Sequence, residues 1–144
     1  MTCAEVFEDL KKKCQERGIL FVEVNNGFNK VCGEIHTKFY NKFQRMKTLR
    51  IELRGNGGVV EKLISTLHEL GHEKVNLLLS PCDRMVRHLA PTQEAIIKEE
   101  KAAWDCAWEL AVQYELDKSN NFRKRFRSIK EDCLATYERR ILWS

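Results

Sequence analysis

No stretch of this chain reaches the roughly 18 consecutive apolar residues that a membrane span requires, so a transmembrane protein is not expected. Only two prolines occur, Pro81 and Pro91, and there is no repeat, low-complexity tract or linker. The 144 residues therefore read as one domain spanning 1–144, large enough for a real core. Charge of one sign is also scarce: 25 basic against 21 acidic residues leave a net +4, too little to argue for nucleic acid. None of the six cysteines forms a C-x-x-C pair, which leaves a thiolate zinc knuckle or a dithiol redox site without support. The first nine residues are acidic and carry no apolar run, so they do not read as a secretory signal. Reduced thiols and a cytoplasmic location are the expectation that follows.

The pattern of what is present alternates helix and strand signals. Thr2 followed by Glu5 forms a capping-box sequence, and Val6, Phe7, Leu10 and Cys14 make a helical stripe. Gly18 suits the end of that helix. Ile19–Val24 is a β-prone run, and Asn25-Asn26-Gly27 predicts a hairpin turn into a second strand over about Lys30–His36, extending towards Tyr40. Residues Phe39–Met46 fit a ragged strand or a short helix. Leu49–Arg54 alternates as a strand with one buried face, and Gly55-Asn56-Gly57-Gly58 breaks it. Val60, Leu63, Ile64, Leu67 and Leu70 then predict a helix from Val59 to about Lys74. Leu77–Pro91 reads mostly as loop. Thr92 is a plausible cap for a helix reaching about Asp117, and a last helix covers about Asn120–Leu142, with Phe122, Phe126, Ile129, Cys133 and Tyr137 inward. The fold class is α+β, with a small sheet packed on a central helix and further helices towards the C-terminus.

Inside the central helix stands His68-Glu69-Leu70-Gly71-His72, an H-E-x-x-H pattern. Histidines four apart on a helix lie one above the other, so both can reach one metal ion. The glutamate between them is positioned to act as general base on a metal-bound water. Chance occurrence of this pattern in a chain of such length is below about 1%. Two imidazoles alone hold zinc weakly, and a catalytic site adds a third protein ligand while leaving a fourth position open. The candidates lie downstream: Cys82, His88, Glu94, Glu99 and Glu100. Glu100 shares a helix face with Ile96, Ala103, Trp104, Ala107 and Ala111, where an unpaired carboxylate would cost several kcal/mol and a cation would offset it. Two imidazoles and a carboxylate suit Zn2+, though manganese, iron or nickel accept the same donors.

The order of a strand at Arg50–Arg54, the His68–His72 helix and then Glu100-x-x-Ala103-x-x-x-Ala107 resembles the ImmA/IrrE-type metallopeptidases of the zincin group. That family joins H-E-L-G-H to a helix bearing E-x-x-A-N-x-x-A; here Trp104 stands where asparagine is common, as in small phage-borne zincins. The resemblance covers about Leu49–Leu116. It implies a zincin-like fold, Zn2+ on His68, His72 and Glu100, Glu69 as catalytic base, and a protein substrate, in some members a regulatory protein. The expected function is zinc-dependent hydrolysis of a peptide bond. The alternative is a zinc-bearing regulator that binds a partner protein without turnover. A third class, a nucleic-acid binder, rests on Arg123-Lys124-Arg125-Phe126-Arg127 alone, more simply the solvated side of a helix. Glu61 and Ser65 are candidates to support His68 from behind, and His88 to stabilise an oxyanion. Trp104 and Trp108 read as core anchors beside the site. Leu49–Arg54, if at a sheet edge, would bind an extended substrate.

Overall fold

The computed structural model describes every residue except 26, 28–29, 41–44, 80–91 and 143–144, and describes only the backbone at 39–40, 45–46 and 140–142. It is a small α+β domain: a three-stranded sheet and four α-helices among the described residues. The first helix, α1 (Cys3–Glu16), starts at the capping box formed by Thr2 and Glu5. Its buried stripe is Val6, Phe7, Leu10 and Cys14. Gly18, at φ 78°, reverses the backbone, and the Ile19 N–H donates to the Cys14 carbonyl at 3.0 Å, satisfying one of the carbonyls left free at the helix end.

Strand β1 (Leu20–Val24) does not form the hairpin that Asn25-Asn26-Gly27 predicts. It pairs in parallel with β3 (Arg45–Arg54), Leu20 opposite Arg50 through Val24 opposite Arg54. Strand β2 (Cys32–Tyr40) takes the other side of β3, antiparallel, and the sheet order is β1-β3-β2. The turn signal is real but local: the Gly27 N–H bonds Asn25 Oδ1 at 3.2 Å, with Gly27 at φ 81°. Partner choice is decided at Gly55, φ 112°, where a Cβ would stand 2.1 Å from the Lys30 carbonyl oxygen. Only a residue without a side chain lets the segment leaving β1 cross the end of β3.

Both β2 and β3 extend into the ambiguous Phe39–Met46 region as strand. The alternation expected from Leu49 also fails at its first residue. Register slips between His36 and Thr37, so Leu49 is the extra residue of a bulge. Leu49 is 38% exposed, and Thr48 turns inward beside Ile51 and Leu53. The buried Thr48 hydroxyl donates to Glu73, which also meets Arg17 at 2.7 Å.

Helix α2 (Val59–Leu78) runs beyond the expected Lys74. It buries Leu63, Leu67, Gly71 and Val75 along one ridge, and Thr66, Glu69 and Glu73 as well, so it occupies the middle of the molecule. Helix α3 (Gln93–Gln113) begins where the Thr92 hydroxyl accepts from the Ala95 N–H at 3.1 Å. It stops before the expected Asp117 because Glu115 adopts the left-handed conformation, φ 60°. A short 3₁₀ turn, Leu116–Lys118, then seats Leu116 in the core. Helix α4 (Asn120–Leu142) follows, with Phe122 and Phe126 buried as its pattern predicts. No helix among the described residues is long and apolar enough to cross a membrane.

The α2–α3 crossing is the tightest approach. A Cβ on Gly71 would lie 2.1 Å from the Ala103 carbonyl oxygen and 3.2 Å from the Ala107 nitrogen. Gly71→Ala is therefore expected to lower the unfolding free energy by about 1–3 kcal/mol in urea denaturation. An unchanged stability, or a gain of the roughly 1 kcal/mol that alanine brings to a helix interior, would show that the helices do not meet at this distance.

Candidate functional site

One turn of α2 separates His68 from His72, and their rings lie 4.6 Å apart between centroids. Both aim Nε2 at α3. His68 Nε2 is 2.8 Å from Glu100 Oε2, and His72 Nε2 is 2.9 Å from Glu100 Oε1. Their ligand atoms all lie within 4.8 Å of one another, so the three residues form a group able to hold a metal ion. The fit is chemical as well as geometric. Glu100 is only 6% exposed, and two imidazole nitrogens facing a buried carboxylate match the nitrogen and oxygen donors of a zinc-type site.

Charge in this group is balanced internally. Burial pulls the His72 imidazole down, but its bonds to Glu100 and Glu99 outweigh that and push its pKa up to about 10. Burial likewise raises Glu100, and its bonds to the two histidines override it and hold the carboxylate well below the usual range. Glu99 meets the other ring nitrogen of His72. Its Oε1 lies 3.5 Å from His72 Nδ1, behind the ring, where it orients the imidazole and keeps Nε2 turned towards Glu100.

Glu69 lies beside His68, on the side of the group that faces the sheet. It is 5% exposed, and burial raises its pKa. Gly33 of β2 makes the room: a Cβ there would stand 2.9 Å from Glu69 Oε1 and 2.6 Å from Ser65 Oγ. The carboxylate thus rests against the backbone of an edge strand, 3.8 Å from His68 Nδ1.

A cleft of about 920 Å³ opens over this group. One wall is the β2 backbone over residues 31–35, and the other is the α4 face carrying Ile129, Cys133 and Tyr137. Trp104, 1% exposed, is stacked on His68 with centroids 4.0 Å apart and planes 10° from parallel. This tryptophan is a core anchor that also fixes the plane of the His68 ring. Trp108 packs instead on Phe126, at 5.1 Å.

The other candidates fall elsewhere. Glu94 is exposed at the start of α3, and Cys82 and His88 lie outside the described residues. Glu61 pairs with Arg125 at 3.0 Å rather than with His68, which takes one charge out of the basic patch; Ser65 abuts Gly33. Leu49–Arg54 belongs to the central strand, hydrogen-bonded on both sides, so it cannot add a peptide strand. Among the described residues β2 is the edge strand that borders the cleft. A second group, Glu34, His36 and Glu52, sits on the outer face of the sheet, but Arg50 and Arg54 already hold Glu52. Nothing in the sequence connects Gly33 or Cys133 with the site; both reach it by long-range packing.

Comparison with protein-family models, with curated proteins and with solved structures finds no match.

Two variants separate the roles of the adjacent glutamates. Glu99→Gln should weaken metal retention about 10–100-fold, the usual effect of losing a residue that orients a ligand, and Glu100→Gln should weaken it further. Titration against a competing chelator measures both, and an equal or larger effect at Glu99 would reverse the assignment. Gly33→Ala should leave metal retention near wild type, because the added methyl meets Glu69 and Ser65 and none of the three ligands. Metal loss in Gly33→Ala would contradict that geometry.

Proposed function

We propose that this chain is a zinc-dependent metallopeptidase of the zincin type, acting on a peptide bond in a protein. The observation that carries the reading is the arrangement of four side chains. Two imidazoles and the Glu100 carboxylate converge on one point, and a separate buried carboxylate, Glu69, stands beside them at the foot of an open cleft. A zinc ion held by His68, His72 and Glu100 would supply Lewis-acid chemistry, polarising the scissile carbonyl and acidifying the attacking water.

The chain's own residues do the rest. Glu69 takes the proton of the attacking water and returns it to the leaving amine, a role that suits a carboxylate whose pKa burial raises. The β2 edge binds the substrate in extended form through main-chain hydrogen bonds, which brings its backbone alongside Glu69, since Gly33 touches both. Glu99 and Trp104 hold the two imidazoles in place, so that the donors are organised before substrate arrives.

Protein purified without chelator should carry close to one divalent metal per chain by elemental analysis, and His68→Ala and His72→Ala should lose it while remaining folded. Glu69→Gln should keep metal and fold yet lower cleavage by at least about 10²-fold. That variant should also retain uncut substrate and so serve as bait in cell extract. A partner captured equally by wild type and Glu69→Gln, and left intact by the zinc-loaded wild type, would replace the peptidase with the non-catalytic regulator.

A further inference from the structure

The excess of positive charge is concentrated in one part of the chain. Between Asp117 and Glu131 stand Lys118, Arg123, Lys124, Arg125, Arg127 and Lys130 and no acid, while the remaining residues hold 19 basic and 21 acidic side chains. Two of the six cations are neutralised, Lys118 by Glu115 and Arg125 by Glu61, both at 3.0 Å. Arg123 reaches the Asp117 carbonyl and the Asn120 side chain, neither of which cancels its charge. Lys124, Arg127 and Lys130 have no ion pair or hydrogen-bond partner among the described residues.

Helical spacing gathers these four. Arg123, Arg127 and Lys130 fall at i, i+4 and i+7, with Lys124 beside them, and the group spans about 10 Å of helix axis. Its face is turned away from the cleft, whose α4 wall includes Arg125, Ile129 and Asp132. Like charges at this spacing destabilise the helix that carries them. The first turn of α4 also holds no acidic residue, and cations near a helix N-terminus oppose the macrodipole. The described residues leave both costs uncompensated; a bound polyanion would offset them.

The chemistry of the face narrows the polyanion. The exposed residues among the cations are Ser119, Asn120, Asn121 and Ser128, all polar, while Phe122 and Phe126 are buried. A helix lying on a membrane needs exposed apolar residues to insert, and a peptide interface needs an apolar anchor. Stacking on unpaired bases needs exposed aromatics. Phosphate oxygens need only the arginine, lysine, asparagine and serine donors present here. A helix about 10–12 Å across matches the roughly 12 Å major groove of B-form DNA and not the narrow one of duplex RNA. The cleft lining, with six carboxylates against Lys30 and Arg125, repels a polyanion that the far face of α4 attracts.

We propose that Arg123, Lys124, Arg127 and Lys130 form a docking surface for the phosphate backbone of duplex DNA, without base specificity. The surface is independent of the metal centre and of the peptidase reading, since DNA held there leaves the cleft open.

Fluorescence anisotropy of a labelled DNA duplex of about 20 base pairs, titrated with the full chain, tests it. Four phosphate contacts give a slope of about −3.6 in log K against log salt, or about 10²-fold weaker binding in about 200 mM than in about 50 mM salt. Two unrelated duplex sequences should bind alike. Arg123→Gln, Lys124→Gln, Arg127→Gln and Lys130→Gln combined should weaken low-salt binding by at least about 10-fold and flatten the slope, with the circular dichroism unchanged. Lys12→Gln, Lys74→Gln, Lys98→Gln and Lys101→Gln combined remove the same charge from exposed positions on the other helices and should bind as wild type. Equal weakening in the two variants would overturn the proposal by reducing the effect to net charge. Wild type that ignores DNA at low salt would overturn it too, as would tighter binding to duplex RNA, polyglutamate or phosphatidylserine vesicles. On wild type itself, duplex DNA should protect Lys124 and Lys130 from acetylation, as read by peptide mass, while Lys12 and Lys98 stay reactive. Lys124 and Lys130 acetylated as fast with DNA as without it would overturn the proposal even if the glutamine variant did not fold.

Discussion

Helices α2 and α3 cross with their backbones touching at Gly71, and the rest of the site depends on that approach. A methyl at this position would collide with the Ala103 carbonyl, and larger residues at 103 or 107 would separate the helices in the same way. Each helix carries half of the cluster one turn or less from the crossing: His68 and His72 on α2, Glu100 on α3. The gap between an imidazole nitrogen and a carboxylate oxygen, 2.8–2.9 Å, is set by that backbone contact. Close packing in the apolar layer therefore fixes the polar layer above it.

Helix α2 carries two buried glutamates and α3 brings a third against it, and each is handled differently. Glu73 is neutralised by Arg17 and Thr48, which ties the end of α1 and strand β3 to the helix. Glu100, reaching in from α3, is matched by two imidazoles. Glu69 has His68 Nδ1 at 3.8 Å and sits against the Gly33 backbone. Burial raises the pKa of that carboxylate, and the imidazoles of His68 and His72 oppose the rise. The aromatic layer beneath, where Trp104 stacks on His68 and meets Phe126 edge-on at 5.3 Å, gives the cluster a rigid floor.

The cleft joins elements that are far apart in the chain. Among the described residues β2 is an edge strand, because β1 occupies the opposite side of β3, and α4 lines the same space with Cys133 3.9 Å from Glu100.

Local signals in the sequence determined much of this. The capping box at Thr2, the N-cap at Thr92, the i, i+4 histidines, the stripe of α1 and the alanine face that singles out Glu100 are all read over one or two helical turns, where spacing alone dictates which side chains share a face. The helices at Cys3–Glu16 and Gln93–Gln113 start where their caps predict. What the sequence could not decide is pairing between distant segments. The hairpin signal at Asn25–Gly27 describes a turn but not a partner, and Gly55 lets the strand cross to the far edge of the sheet. Leu49 breaks its own alternation through a bulge set by the register of β2. Glu99 faces His72 Nδ1 while Glu100 faces both Nε2 atoms because of how the helices cross at Gly71, and Cys133 and Gly33 reach the cluster only through the packing of α4 and β2. Periodicity fixes directions within an element, and the relative placement of elements comes from interlocking shapes that no single window of sequence contains.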